Sequence, residues 1–275
     1  MLNNNLIISG SSGFIGTNLL NYLQNQNIYK VKKDKSNEEI YFVDSLNNKI
    51  NKLESSKNFT FIHLATFFTK DISLDKFVYE SNYQYGERIL NKLENIHLEK
   101  IIYTNSMYCY YPDSKTRELQ YTKSKLEFSG YLNKYCVDKK ISYEEIFLDN
   151  TYGPNDSRDK ILPNIVKSIL NFQENPILNP NNLVNLVHVN DVVSQLIDAA
   201  NRSGSYKYAM LNKKSILLIS IYEYLNEYFT KGIANKHLLK YSKNNYLEFP
   251  FENIFETKDK VKDAEGLLEL INNVN

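Results

Sequence analysis

The glycine-rich segment near the amino terminus limits the possible folds of this chain more than any other feature. Residues 10–16 read GSSGFIG and contain three of the nine glycines in the 275-residue sequence. The segment follows a short apolar run of β-forming residues and precedes apolar residues at helical spacing. A strand, a glycine turn and a helix N-terminus together bind the pyrophosphate of a dinucleotide, although such a turn can also merely connect two elements. The expected cofactor contacts are Gly10, Ser12, Gly13, Phe14, Ile15 and Gly16.

The order of elements beyond this loop predicts an α/β fold. Runs typical of strands occur near residues 29–33, 40–43, 59–64, 101–104 and 143–148, and helical patterns occupy about 74–98 and 119–137. Because strands alternate with helices, the sequence predicts a Rossmann-type, doubly wound parallel sheet. We expect a dinucleotide-binding domain at 1–150, to which later elements around 185–202 return. A smaller, mainly substrate-binding lobe is expected at 151–275.

Composition and charge argue against several classes of protein. Lys and Arg number 33 against 32 Asp and Glu, and the resulting net charge of +1 argues against binding to nucleic acid. The two cysteines form no CxxC pair and the four histidines show no metal-ligand spacing, so no metal site is expected. The first apolar run is too short for a signal sequence or a membrane span. These features predict a soluble cytoplasmic protein without a membrane partner.

The spacing GxxGxxG resembles that of the extended short-chain dehydrogenase/reductase superfamily, specifically its sugar-nucleotide-modifying branch. The resemblance implies a catalytic Tyr-x-x-x-Lys pair with an upstream Ser or Thr. Four such pairs occur, namely Tyr29/Lys33, Tyr111/Lys115, Tyr121/Lys125 and Tyr135/Lys139. The first pair lies in a predicted strand, Pro112 interrupts the second, and the fourth lies at the far end of its helix. Geometry therefore selects Tyr121 and Lys125, which share one face near the start of a helix.

The serine of this set is expected at the carboxyl end of the strand at 101–104. Aligned on the family's Ser-Ser-Ser-x-x-x-Tyr-Gly pattern, Ser106 takes the catalytic position, and Thr104 is the alternative and a cofactor contact. The resemblance implies that Tyr121 protonates the alkoxide formed by hydride transfer while Ser106 holds the reacting oxygen. Lys125 would hold the nicotinamide ribose, and its charge is expected to lower the pKa of Tyr121.

Further cofactor contacts follow from the same resemblance. Lys33 suits the 2′-phosphate of NADP, whereas Asp34 could bind the ribose of NAD, so NADP is favoured and NAD stays an alternative. Asp44, after the third strand, resembles the family's adenine-binding aspartate, but could equally be a helix N-cap. The remaining cofactor contacts implied by the resemblance are Leu64, Ala65, Thr66 and Asn82.

Three residues beyond the first domain are candidates for substrate binding. Asn150 occupies the place of the family's sugar-nucleotide-binding asparagine, in a segment similar to Asn-x-Tyr-Gly-Pro. Lys160 is placed to meet a diphosphate, although a surface lysine is the simpler interpretation. His188 lies in the segment VHVND, which resembles the family's late strand-to-helix segment.

The matches extend over roughly residues 5–195 and are most similar to bacterial CDP-sugar reductases that make 3,6-dideoxyhexoses. Residues 106–108 carry no carboxylate, which disfavours a dehydratase. The resemblance implies NADPH-dependent reduction of the 4-keto group of a CDP-, GDP- or dTDP-linked 4-keto-6-deoxyhexose, in bacterial surface polysaccharide biosynthesis. A nucleotide-sugar epimerase that retains NAD and a non-catalytic dinucleotide-sensing regulator are the alternatives. A homodimer is also expected by resemblance.

Overall fold

A computed structural model describes residues 5–23, 26–111, 119–173, 179–243, 254–256 and 263–272. The chain divides into two compact units. The first comprises Met1–Phe147 and Val193–Ala209, and the second comprises Leu148–Val192 and Met210–Asn275. The segment expected to return to the first domain, 185–202, is therefore divided between the two units at residue 192.

The described strands are β1 (Asn5–Ser9), β2 (Ile28–Lys33), β3 (Ile40–Val43), β4 (Lys49–Ile50), β5 (Phe59–His63), β6 (Leu98–Ser106), β7 (Ser142–Leu148), β8 (Asn150–Tyr152), β9 (Leu183–Val184), β10 (Leu186–His188), β11 (Tyr206–Leu211), β12 (Lys214–Leu217), β13 (Tyr241–Lys243) and β14 (Ile254–Glu256). The described α-helices are α1 (Phe14–Tyr22), α2 (Asp75–Tyr79), α3 (Tyr85–Lys92), α4 (Gln120–Lys139), α5 (Ile161–Leu170), α6 (Val189–Asn201), α7 (Leu218–Lys231) and α8 (Asp263–Asn272).

A single sheet organises the first unit. Among the described residues of this unit, eight strands follow the order β11-β7-β6-β5-β1-β2-β3-β4. Strand β1 pairs in parallel with β2 and β5, and β5 pairs in parallel with β6. Every residue of β5 is buried, as expected for a parallel sheet covered on both faces. The predicted Rossmann-type α/β fold is confirmed.

The third strand departs from the predicted parallel sheet. Strand β3 runs antiparallel to β2, with Lys33 opposite Ile40 and Lys30 opposite Val43. Residues 34–39 connect the two strands as a turn, in which the backbone N–H of Asp34 donates to the carbonyl of Glu39. A connection this short cannot return the chain to the start of a parallel strand, so the two strands form a hairpin.

The carboxyl ends of the parallel strands meet at one edge of the sheet. The register places Ser9 opposite His63 and His63 opposite Tyr103. The Ser9 hydroxyl lies 2.7 Å from Nδ1 of His63, and burial lowers the pKa of this histidine to about 3. A neutral imidazole therefore links β1 to β5 directly before the glycine loop and the loop that follows β5.

The helical stretch expected at 74–98 is shorter and is interrupted. A π-helical turn, Glu80–Gln84, separates α2 from α3, and α3 ends at Lys92, before β6 begins at Leu98. The interruption contains Asn82, whose side chain turns inward to bond the loop after β5. Such π-turns occur frequently at functional sites.

The second unit contains two small sheets and its own apolar core. Strand β8 pairs in parallel with β10, and β12 pairs with β9 and β13 in antiparallel fashion. Apolar residues of α5, α7 and α8, including Ile165, Ile221 and Leu267, fill the core. No helix among the residues that the structure describes is long and apolar enough to cross a membrane.

Candidate active site

The glycine loop folds tightly against the loop that follows β5. Gly10 has a φ of +71°, and a Cβ placed there would lie 2.5 Å from the backbone nitrogen of Ala65. A Cβ on Gly16 would lie 2.2 Å from the carbonyl oxygen of Gly10. Only glycine satisfies the backbone at Gly10 and the close approach of α1 at Gly16.

The middle glycine has more space, and this space fits a phosphate. Gly13 precedes α1 in an extended conformation, and no side chain caps the helix N-terminus. A Cβ on Gly13 would approach only the carbonyl oxygen of Gly10, at 3.3 Å. Ser12 and Gly13 are both exposed, so the N-terminal end of α1 is open above the loop. Because a helix N-terminus presents N–H donors and a positive dipole end, Phe14, Ile15 and the loop suit a dinucleotide pyrophosphate.

Asn82 holds the loop after β5 in place. Its side-chain oxygen accepts hydrogen bonds from the backbone N–H of Phe67, at 2.7 Å, and from the hydroxyl of Thr66, at 3.1 Å. Its amide donates to the carbonyl of Phe67 and to the hydroxyl of Ser124. Asn82 therefore connects this loop to α4, and Leu64, Ala65 and Thr66 follow β5 at the sheet edge with the glycine loop.

The carboxylate of Glu38 holds Lys33 at the end of β2. Lys33 Nζ lies 2.6 Å from Oε1 of Glu38, whose other carboxylate oxygen accepts from Arg88 at 3.2 Å. Asp34 accepts hydrogen bonds from the backbone and the hydroxyl of Ser36, which lower the pKa of its carboxyl. The structure thus places Lys33 and Asp34 at the expected end of β2, but with partners within the turn and on α3.

The structure places Asp44 in the turn between β3 and β4, and its expected contact with adenine stays a prediction. Because β3 is antiparallel, its last residue, Val43, lies opposite Lys30 and not beside the carboxyl end of β2. Asp44 instead accepts hydrogen bonds from the backbone N–H groups of Leu46 and Asn48. Asp44 stabilises the β3–β4 turn, and no helix begins within this described turn for it to cap.

The structure brings Ser106, Tyr121 and Lys125 together. Ser106 ends β6, and the other two lie in the first turns of α4. The Tyr121 hydroxyl lies near the side chains of Ser106 and Thr66, which favour its phenolate form. Lys125 Nζ donates to the carbonyl of Thr104 at 2.7 Å and lies 6.0 Å from the centroid of the Tyr121 ring. The three residues form the arrangement that proton donation to a substrate carbonyl requires.

The two titratable groups deviate from the sequence-based expectation. Burial raises the pKa of the Tyr121 phenol, against the opposing effect of the nearby Ser106 and Thr66 side chains. Burial also lowers the pKa of Lys125 to about 8, although Cys109 and a carboxylate on β7 raise it. Attraction between ammonium and phenolate would lower the pKa of Tyr121, but burial desolvates both groups and outweighs this attraction. Tyr121 is therefore a protonated phenol at neutral pH.

Aromatic side chains that the sequence argument missed surround the phenol. Phe68 meets the Tyr121 ring edge-on, with centroids 4.9 Å apart, and Tyr108 lies 6.5 Å from the same ring. Phe68 and Tyr108 also contact each other, at 5.7 Å. These rings keep water from one side of the phenol and provide an apolar wall. The chain contains 22 Tyr and 14 Phe, and no sequence pattern distinguishes Phe68 and Tyr108 among them.

The candidate substrate residues lie in the second unit. Asn150 donates to the Asp149 carboxylate and to the carbonyl of Asn185. Lys160 is half-buried directly before α5. His188 is only 2% exposed. Its ring packs edge-on against Tyr152, it accepts from the backbone N–H of Asn190, and its Nε2 lies 3.2 Å from Glu269. The structure gives His188 a buried packing position, and its contact with the substrate stays a prediction.

Arg158 is a further basic residue near the start of α5 that sequence reasoning missed. Its guanidinium binds both carboxylate oxygens of Asp156 at 2.7 Å and also the carbonyl of Thr151. The short Asp-x-Arg spacing was the available signal. Within the described part of the chain, no group of three or more His, Cys, Asp or Glu side chains could hold a metal ion.

Comparison with known proteins assigns the family. Residues 6–209 match the profile of the NAD dependent epimerase/dehydratase family. The chain belongs to this family. The chain is similar to a CDP-abequose synthase of Salmonella muenchen, with 24% identity over 238 aligned residues that cover 82% of this chain and 81% of the relative. An ADP-L-glycero-D-manno-heptose-6-epimerase of Brachyspira hyodysenteriae is 24% identical over 288 residues, which cover 89% of this chain and 84% of the relative.

Among solved structures, the UDP-glucuronic acid 4-epimerase of Bacillus cereus in complex with NAD is similar, with a TM-score of 0.73 and 16% identity. The match covers 98% of this chain and 96% of that one. At this identity the likeness establishes the Rossmann-type fold of this enzyme family.

Proposed function

We propose that the protein is an NAD(P)H-dependent reductase of the 4-keto group of a nucleotide-linked 4-keto-6-deoxyhexose. The observation that carries the proposal is the buried Tyr121 phenol, which lies near Ser106 and whose pKa burial raises further above neutral pH. A protonated phenol is the form required to complete a reduction. Oxidation of a sugar hydroxyl would require the phenolate as base.

Each residue of the site has a separate role in the proposed reaction. A reduced nicotinamide would, when bound, supply the hydride for the carbonyl carbon. Ser106 donates a hydrogen bond to the carbonyl oxygen and fixes it beside the phenol. Tyr121 transfers its proton to the oxygen as negative charge develops there. Lys125 stabilises the tyrosinate left behind and supplies a donor for the ribose, while the glycine loop and the N-terminus of α1 hold the pyrophosphate.

The substrate class rests on the relatives. The names of both curated relatives state nucleotide-linked sugars, CDP-abequose and an ADP-linked heptose. We propose a CDP-, GDP- or dTDP-linked sugar, used in the cytoplasm for bacterial surface polysaccharide. Asn150, Lys160 and Arg158 are the proposed contacts to the nucleotide and its diphosphate. Incubation with a panel of these 4-keto sugars and NADPH, monitored by the loss of NADPH absorbance, identifies the nucleotide base of the substrate.

The coenzyme preference is part of the same proposal. Lys33 and Arg88 provide two cations near the end of β2, which suit a 2′-phosphate. Both cations, however, contact the Glu38 carboxylate. The 2′-phosphate of NADP would have to compete with this carboxylate for Lys33 and Arg88. The ribose diol of NAD could bind while both ion pairs to Glu38 stay intact. The ratio of dissociation constants for NADPH and NADH measures the outcome.

An epimerase is the second candidate, because one curated relative and the NAD-containing structure are named as epimerases. Such an enzyme retains NAD through purification and interconverts sugars without net loss of NADPH. A dinucleotide-sensing regulator would bind the coenzyme without turnover.

We also propose a homodimer that forms through the exposed faces of α2 and α4, which carry Phe77 and Val137. Analytical ultracentrifugation tests this proposal.

The decisive experiment replaces the proton donor. In Tyr121→Phe we expect kcat to fall at least about 100-fold, because general acid catalysis contributes this much or more. Coenzyme affinity should stay within about threefold of the wild type, since the ring is retained. Tyr135→Phe is the matched control, because Tyr135 begins another Tyr-x-x-x-Lys pair on the same helix. Undiminished turnover in Tyr121→Phe would refute Tyr121 as the proton donor, whereas coenzyme binding without turnover in the wild type would exclude the reductase and leave the sensor.

A further inference from the structure

Two buried polar residues beneath the site are not explained by the proposed function. Asn105 is 3% exposed at the end of β6, and Glu145 on β7 is 0% exposed. Burying a carboxylate is costly unless it is paired and hydrogen-bonded. We propose that Glu145 is a positioning residue, which orients Ser106 through Asn105 and supports the charge of Lys125. The inference rests on the proposed roles of Ser106 and Lys125.

The hydrogen bonds of Asn105 run in one direction. Its Nδ2 donates to Oε1 of Glu145 at 2.7 Å, and its Oδ1 accepts from the backbone N–H of Ser106 at 2.8 Å. The Cys109 thiol also lies 3.6 Å from Oδ1. Because a carboxylate only accepts, Glu145 fixes which end of the amide faces Ser106. The opposite amide orientation would bring two N–H donors together at the catalytic serine.

A second hydrogen bond holds the hydroxyl oxygen of Ser106. Its Oγ accepts from the backbone N–H of Tyr108 at 3.2 Å, which leaves the hydroxyl hydrogen to point elsewhere. Asn105 holds the backbone of Ser106, and Tyr108 donates to its oxygen, so the hydroxyl hydrogen remains available to donate to a substrate oxygen. This is the pre-organisation that a substrate-oxygen donor requires.

A cation supplies the charge that balances Glu145. Lys207 on β11 places its Nζ 3.1 Å from Oε2 of Glu145. Its side chain is about half exposed, whereas that of Glu145 is 1% exposed. Burial opposes the charge on Lys207, but Glu145 and Tyr110 nonetheless raise its pKa. The pair therefore runs from the surface to the floor of the site.

The charge of Glu145 also acts on Lys125. The groups that face this amine come from several elements, namely His63 on β5, Tyr103 on β6, Cys109 after β6, Glu145 on β7 and Tyr121 on its own helix. Burial raises the pKa of the Cys109 thiol to about 11, so this group is neutral at physiological pH. His63 is neutral as well. Among these described neighbours, Glu145 is therefore the carboxylate that favours the ammonium form of Lys125.

The substitution Glu145→Gln separates charge from hydrogen bonding. A glutamine can still accept from Nδ2 of Asn105, so Ser106 stays oriented, but the negative charge is lost. We expect the alkaline limb of the kcat/KM profile to move to lower pH, with the rate at pH 8.5 falling about threefold to tenfold relative to that at pH 6.5. Glu145→Leu, which also removes the acceptor, should in addition lower kcat at pH 6.5.

Glu144→Gln is the matched control. Glu144 precedes Glu145 on β7 and is equally buried, but successive strand residues face opposite sides of a sheet. Its carboxylate binds Lys100, Arg202 and Tyr208, away from Asn105. We expect Glu144→Gln to lower thermal stability without moving the pH profile. Equal shifts in the two variants would overturn the proposal.

A second measurement requires no substrate. The ¹⁵N signal of the Lys125 side chain, assigned by its loss in Lys125→Met, reports the titration of the amine in the protein alone. Its midpoint should move to lower pH in Glu145→Gln. In Lys207→Met, which leaves the buried residues intact, it should move to higher pH. Unchanged midpoints in both variants would refute the role of Glu145, whereas wild-type inactivity on every keto sugar would refute only the proposed function.

Discussion

Alanine substitutions at two glycines of the same loop should separate packing from cofactor binding. At Gly16 the new Cβ would lie 2.2 Å from the backbone carbonyl oxygen of Gly10, whereas ordinary contacts lie at 3.4 Å or more. The neighbour is backbone and cannot rotate away, so α1 must move by more than 1 Å. Overpacking of this kind costs about 1–3 kcal/mol, and we take about 3 because no side chain can adjust. The helical gain of alanine over glycine offsets about 1 kcal/mol.

The net destabilisation of Gly16→Ala is therefore about 2 kcal/mol, or a fall in Tm of roughly 4–8 °C for a chain of this size. A Cβ at Gly13 would require the Gly10 carbonyl oxygen to move by only a few tenths of an ångström. The extended backbone of Gly13 suits any residue. The cost there should stay below about 1 kcal/mol. The same Cβ projects into the exposed space where the pyrophosphate is expected, so coenzyme affinity should fall about tenfold or more.

Two assays measure the two effects. Thermal unfolding gives the stability of each variant, and quenching of protein fluorescence by NADPH or NADH gives the dissociation constant. We expect Gly13→Ala to be stable with weak binding, and Gly16→Ala to be destabilised. Wild-type affinity in Gly13→Ala would refute the assignment of this loop as the cofactor cradle. A wild-type Tm in Gly16→Ala would refute the close packing of α1.

Two further predictions concern groups whose environments the structure defines. Activity should decline as pH rises through about 8, because the lowered pKa of Lys125 removes its charge in that range, and a flat kcat/KM profile between pH 7 and 9.5 would contradict this role. Asp44→Ala should leave coenzyme affinity unchanged, because Asp44 serves the β3–β4 turn, and a marked loss of affinity in binding assays would restore the adenine-binding assignment.

The direction of β3 could not be read from alternation alone. Each apolar run near 29–33 and 40–43 predicts a strand correctly, but parallel and antiparallel pairing differ in the connection and not in the strand. The connection itself held the signal. Asp34 and Asn37 both accept backbone N–H groups two residues on, which is the geometry of polar turns. Six residues are too few for a crossover, so the hairpin carries Asp44 away from the carboxyl end of β2.

The family resemblance supplied the pattern of Ser106, Tyr121 and Lys125, and periodicity placed these residues at a strand end and in the first turns of a helix. A strand end and the first turns of the following helix meet at one sheet edge whatever fills the core. The protonation behaviour was not predictable, since it depends on burial. Glu145 illustrates the same limit. The run SYEEIFL places two carboxylates side by side, which typically indicates a solvated strand, and only the tertiary structure shows both to be buried.

Two buried lysines show how packing distinguishes structure from function. Lys100 donates to the Glu144 carboxylate and to the carbonyls of Ala199 and Arg202. Lys125 is equally buried, but its hydrogen bond among the described residues is to the Thr104 carbonyl. Lys100→Met leaves a buried carboxylate without one partner and should cost about 3 kcal/mol.

Lys125→Met should have the opposite effect on stability. The folded protein holds this amine with a pKa lowered to about 8, so the unfolded chain binds its proton more tightly. The resulting cost to stability, roughly 1–3 kcal/mol, is present below about pH 8 and disappears as pH rises toward the unfolded value. Methionine removes that cost and also the charge that the reaction requires. We expect a more stable, inactive protein at pH 7 in urea unfolding and turnover assays, and a destabilised Lys125→Met would show that this amine serves the fold.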